Sequence, residues 1–179
     1  MVYIINTIIG IATVLSHIVF VGFVVVIASH PSTRSKIYKF VHTHILNIIF
    51  VESLFALVGS LAYSNIIGFP PCDLCWIQRV LIYPQVIISL VAIWKKDKLV
   101  VDYLLPMSVI GGLVALYQSF IQWGINSVSF GGCAAAGAEC AKVYVNLFGY
   151  VTIPFMSFTI FAFSVGVMMI YYQARKTHG

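Results

Sequence analysis

Five runs of predominantly apolar residues, roughly Ile4 to Ala28, Ile45 to Ile67, Trp76 to Trp94, Tyr103 to Trp123 and Phe148 to Tyr171, constrain this chain more than any other feature. Each is about as long as an α-helix must be to cross the hydrocarbon of a bilayer, where every backbone N–H and C=O has to be paired within its own segment. Charged residues make up only 8% of the 179 and apolar residues 61%, whereas soluble domains are about a quarter charged. A soluble globular protein is thereby excluded. The longest polar stretch, Gly124 to Leu147, is too short to build a soluble domain with its own core. With no repeat, low-complexity tract or long linker, residues 1–179 read as a single all-α membrane domain. Its chemistry must lie in the bundle or at its rim.

Lys and Arg set the expected orientation, because they gather in short cytoplasmic loops and at the cytoplasmic ends of spans. Arg34, Lys36 and Lys39 follow the first run, Lys95, Lys96 and Lys98 follow the third, and Arg175 and Lys176 lie in the tail. If five spans alternate, these eight of the ten basic residues share one face, leaving Arg79 and Lys142 on the other. All four cysteines are then expected on the outer side together with the N-terminus, and the C-terminus in the cytoplasm. An extracytoplasmic location is also where disulfides form and persist. The opening run lacks a basic n-region and is long for a signal peptide, so it reads as a retained span of an inner or plasma membrane rather than a cleaved leader.

The cysteines come in two pairs. Cys72 and Cys75 form a Cys-x-x-Cys after Pro70 and Pro71, and Cys133 and Cys140 sit with six residues between them in the later loop. Two prolines cannot continue a helix, so Cys75 is expected at a helix start, where free N–H groups and the dipole favour an anion. Arg79 follows four residues later on the same face, one turn deeper. A neighbouring guanidinium also favours the thiolate, which is the reactive form. Snorkelling to the headgroups is the alternative for Arg79, but a charge within a span directly below a Cys-x-x-Cys points to function. Pro84, inside the same span, either opens a slot by kinking the helix or is a tolerated bend.

The Gly- and Ala-rich loop around Cys133 and Cys140 predicts an exposed, easily attacked disulfide. Two static bridges are the bland alternative, though a bridge across so short a loop stabilises little. Four thiolates also suit structural zinc, but such sites organise a folded polar module, and none is evident here. No metal is assigned.

The run Pro71-Cys72-Asp73-Leu74-Cys75-Trp76-Ile77-Gln78-Arg79, continuing to Tyr83-Pro84, resembles the signature of the DsbB-type disulfide-bond formation proteins, particularly the shorter, Gram-positive-like (BdbC-like) members. The stretch Phe148 to Phe155 also looks like that family's last span. The resemblance implies a four-helix transmembrane bundle over 40–179, to which residues 1–29 add an N-terminal span that such proteins ordinarily lack. It implies a quinone-linked thiol oxidase whose catalytic cysteines are Cys72, Cys75, Cys133 and Cys140. A DsbA-like thioredoxin-fold partner would attack the Cys133–Cys140 disulfide, most naturally at Cys133. Electrons would pass to Cys72 and Cys75 and then to ubiquinone or menaquinone, with Arg79 binding the quinone. A vitamin-K-epoxide-reductase-like enzyme combines similar parts, but there the Cys-x-x-Cys generally follows the loop pair. A non-enzymatic membrane protein with static bridges or zinc is the rival from another class.

Other intramembrane polar residues stay open. Glu52 and His17 lie inside spans; a carboxyl at such depth either relays protons or is a neutral, hydrogen-bonded structural group. Gln118 and Gln122, one turn apart, either line a quinone slot or bond between helices, packing being the simpler reading. His42 and His44 do not share a helical face and read as interfacial. Trp76, Tyr83, Trp123, Tyr144 and Tyr150 suit an aromatic belt at the outer interface.

Overall fold

The computed structural model describes residues 31–125 and 140–178, preceded by Thr7, Gly10, Ile11, Val14, Leu15, His17, Ile18 and Gly22. Among these residues, four helices are long and apolar enough to cross a membrane. Helix α1 covers Pro31–Leu61 and runs on through a π-helical turn at Ala62–Ile66. Helices α2, α3 and α4 cover Asp73–Lys95, Val101–Gln122 and Ile153–His178. The expected all-α membrane architecture is what the chain adopts. Of the additional N-terminal span, most lies outside the described residues.

Local chemistry explains each boundary. Helix α1 starts 14 residues before the apolar run, at Pro31, whose fixed φ and missing N–H suit a first helical position. Arg34, Lys36 and Lys39 therefore stand on the first turns of α1 rather than in a loop. Pro70 and Pro71 prevent the π turn from continuing, and Cys72, extended at φ −78 and ψ 172, caps α2 with Asp73 in its first turn. The link from α2 to α3 is tight: Lys96 turns left-handed at φ 54, and Asp97 Oδ1 accepts the Leu99 N–H at 2.9 Å. The last helix starts five residues later than its apolar run. Phe148 and Gly149, at φ 56 and 80, form a turn instead, closed by Val151 N–H donating to Leu147 O at 2.9 Å.

The helices form a ring in which α1 packs on α2 and α4, and α3 packs on the same two. Lipid tails are as apolar as leucine, so such bundles are held by close approach and interhelical hydrogen bonds rather than by exclusion of water. Both devices are present. Gly111 on α3 lets the ring of Phe161 on α4 lie directly against the backbone. Buried Gln85 on α2 accepts a hydrogen bond from Ser108 Oγ on α3 at 3.2 Å. Toward one end, Ile45, Ile49, Leu104 and Met168 fill the core; toward the other, the core opens and the cysteines appear.

Candidate redox site

The site begins with the turn into α2. Cys72 is extended while Cys75 lies in the first helical turn, which brings their Sγ atoms to 3.0 Å, both as free thiols. That is hydrogen-bonding distance, and a small movement separates it from the ~2.05 Å of a disulfide. The hydrogen bond to Cys75, followed by burial, holds the Cys72 thiol above the usual thiol range. Cys72 thus keeps its proton and offers it to its partner sulfur.

A third group completes the pair. Gln118, fully buried on α3, donates its Nε2 hydrogens to Cys72 Sγ at 3.1 Å and Cys75 Sγ at 3.4 Å. Its orientation is fixed from behind, because its Oε1 accepts from Gln78 Nε2 at 2.7 Å. The sequence left Gln118 between slot lining and packing, and the structure places it on both sulfurs. Gln122 lines the same cleft without touching the sulfurs, donating instead to the Lys142 carbonyl at 3.2 Å. Replacing Gln118 by leucine removes both N–H···S contacts and strands the Gln78 amide. Hydrogen bonds to charged groups contribute about 1.5–3 kcal/mol, so the Cys72–Cys75 pair of the variant is expected to react about tenfold more slowly or worse, as read from the rate of thiol alkylation.

Arg79 faces the same cleft but is held from across it. Its Nε donates to Ser60 Oγ on α1 at 2.9 Å, a second guanidinium nitrogen donates to Ser60 O at 3.3 Å, and its plane lies 5.1 Å from the Trp76 ring. Tyr83 OH also donates to Ser60 Oγ, at 3.1 Å. Ser60 carried no sequence signal, being one small polar residue in an apolar run. Its position just before the π turn is the structural clue, since such turns recur at functional sites.

Cys72, Cys75, Arg79 and Gln118 all line a cleft of about 210 Å³, walled by apolar side chains such as Phe55, Tyr63, Ile82 and Phe161. One cysteine of the second pair, Cys140, packs beside this cleft. Cys140 is disulfide-bonded and buried at 2% exposure, in one cluster with Cys72, Leu74 and Ile121 and with Cys75 packed against it. The exposure expected of the loop pair therefore does not extend to Cys140. Cys133 lies outside the described residues.

The family model for disulfide bond formation protein DsbB matches residues 42–171. The chain belongs to the DsbB family. The match runs from within α1 to the last turns of α4, so it takes in all four helices, both cysteine pairs, Arg79 and Gln118. Among the similar curated proteins is a probable disulfide formation protein of Oceanobacillus iheyensis, 39% identical over 74% of this chain and 93% of its own length. Disulfide bond formation protein C of Bacillus subtilis is 38% identical over 62% of this chain and 80% of its own. A probable disulfide formation protein of Coxiella burnetii is 31% identical over 78% and 96%. No solved structure matches the chain. Membership of the DsbB family makes this a multi-pass membrane protein of disulfide-bond formation, with the character of a thiol oxidase.

Proposed function

We propose that this protein is a thiol:quinone oxidoreductase that reoxidises an extracytoplasmic, DsbA-like thioredoxin-fold partner. The carrying observation is the hydrogen-bonded Cys72–Cys75 pair at the floor of an apolar cleft, with Arg79 at its side and Cys140 packed against it. The proposed domain is 1–179, with the catalytic core in 40–179. The distribution of Lys and Arg favours cysteine loops and N-terminus outside and C-terminus inside.

The residues present suit a quinone. A flat, apolar ring with two carbonyl oxygens fits an apolar cleft carrying one guanidinium and one carboxamide, and the cleft lies among helices that a membrane-dissolved molecule can reach. Quinone, as ubiquinone or menaquinone, supplies a two-electron, two-proton acceptor. Everything else falls to the chain. A partner thiolate attacks the Cys133–Cys140 disulfide at Cys133, which agrees with the burial of Cys140. The partner's second thiol then releases its own disulfide, leaving Cys133 and Cys140 reduced. Cys140, in one cluster with Cys72, attacks the Cys72–Cys75 disulfide at Cys72, and Cys133 then displaces Cys72, which restores the Cys133–Cys140 disulfide and leaves Cys72 and Cys75 reduced. Cys75 and Cys72 give up two electrons as their Sγ–Sγ bond forms. Gln118 holds both sulfurs in register, and Arg79 orients the acceptor and stabilises negative charge developing on its oxygen.

The test is quinone reduction by the full chain in lipid nanodiscs, with and without a reduced thioredoxin-fold partner. Quinone should be consumed only when the partner is present, one equivalent per disulfide formed. Arg79→Ala should raise KM for quinone about tenfold and leave KM for the partner unchanged, since a charge-assisted contact is lost on one side only. Failure of the wild type to reduce any quinone, or equal effects of Arg79→Ala on both substrates, contradicts this reading.

A further inference from the structure

A second cavity, of about 400 Å³, lies beside the cysteine cleft and shares Phe55, Thr159 and Ile160 with it. Its lining is almost entirely aromatic and aliphatic except for Glu52, His17 and Thr159. Glu52 stands in mid-span on α1; the other acidic residues of the four helices, Asp73 and Asp102, stand in first turns. One carboxylate oxygen of Glu52 accepts from Ser164 Oγ on α4, while the other, Oε2, is buried with no hydrogen-bond partner among the described residues. A carboxyl half-satisfied in a membrane interior is costly to keep unless it has a task.

Two further polar groups line the cavity with Glu52, and one of them, Thr159, also lines the cysteine cleft. Thr159 Oγ1 donates to Phe155 O at 2.9 Å and is 2.7 Å from His17 Nε2. With its own hydrogen committed, Thr159 accepts from His17, which assigns the proton of that imidazole to Nε2. Imidazole and hydroxyl thus form a hydrogen-bonded pair at the boundary shared by the two cavities. Ser60, which anchors Arg79, lies eight residues along α1 from Glu52, about 12 Å at the helical rise.

We propose that Glu52 is the proton donor for quinone reduction, acting across the wall that its cavity shares with the cysteine cleft. The inference rests on the thiol:quinone reading above. Its balance is simple: the Cys72–Cys75 pair loses two electrons as its disulfide forms, and the quinone needs two electrons and two protons. Cys72 brings one proton. Cys75 reacts as thiolate, its own proton having left to the aqueous phase during thiol exchange, so one proton is missing. Glu52 supplies it and is reprotonated from the aqueous phase, which closes the cycle with no other reactant.

The experiment uses the full chain in nanodiscs with a reduced thioredoxin-fold partner and a soluble short-tail quinone. Glu52→Gln should lower kcat for quinone reduction about tenfold or more, the scale of general acid catalysis. KM should stay unchanged and the solvent deuterium isotope effect should rise. Glu52→Asp should recover most of the rate, and exchange between partner and cysteine pairs, followed by alkylation in a single turnover without quinone, should run at wild-type speed in both variants. A second readout needs no variant: a hydrophobic carbodiimide should modify the wild-type chain at Glu52, located by peptide mass spectrometry, and not at Asp97 or Asp102. Wild-type kcat in Glu52→Gln, or absence of label at Glu52, overturns the proposal and leaves the quinone reading standing. A wild type that exchanges thiols but reduces no quinone overturns both.

Discussion

Cys75→Ser is expected to lower quinone reduction by roughly 10³-fold or more, to the background of the assay, while the protein still folds. Serine is nearly isosteric with cysteine, and its hydroxyl can still accept from Gln118, whose Nε2 lies 3.4 Å from the sulfur it replaces. What disappears is the chemistry. An alkoxide is not available near neutral pH, and an oxygen cannot close a disulfide with Cys72, so electrons arriving from the loop pair have no exit. Thermal unfolding in the same nanodiscs should therefore change little. Cys133 and Cys140 should accumulate as free thiols, because the partner can still reduce the loop disulfide once while the electrons cannot pass on. Turnover near the wild-type rate in Cys75→Ser would mean that the Cys72–Cys75 pair is not on the electron path.

The largest expected effect on stability comes from the α3–α4 crossing. A Cβ at Gly111 would lie 2.3 Å from the ring of Phe161, which is itself only 1% exposed and can yield only toward the cysteine cleft that it walls. Overpacking a well-filled core commonly costs about 1–3 kcal/mol, and Gly111→Leu should reach or exceed the upper end, because α3 and α4 must separate to admit the side chain. Gly59→Ala on α1, where nothing lies within 4 Å of the added carbon, is the control and should be neutral or slightly stabilising. Phe161 also walls the cysteine cleft, so Gly111→Leu should loosen quinone binding even where it still folds. Equal thermal midpoints for Gly111→Leu and wild type would contradict this packing.

Most of the architecture was legible because membrane helices announce themselves by length and apolarity, both local properties. The boundaries were less so. The start of α1 lies in the polar stretch Pro31 to His44, where hydropathy is silent and only the proline speaks for a helix. The start of α4 is hidden in the same way, because Phe148 to Thr152 is as apolar as a span, yet Gly149 at φ 80 bends it into a turn.

The site divided along the same line. Cys72, Cys75 and Arg79 were legible because their spacing on one strand of sequence is itself the chemistry. Gln118 and Ser60 were not, since each acts across a helix interface: Gln118 meets sulfurs more than 40 residues away, and Ser60 meets a guanidinium 19 residues away. Sequence periodicity reports which face of a helix is polar, not what that face meets. The place of Cys140 in one cluster with Cys72 is of the same kind, and it is what supports the proposed route between the two pairs.

The most direct test of that route is the redox state of Cys72 and Cys75 in the full chain, read by alkylation and mass shift after mixing with excess reduced partner. With quinone present both should be trapped as a disulfide, and after quinone is removed both should be trapped as free thiols within the turnover time. A Cys72–Cys75 pair whose state does not respond to quinone contradicts the account.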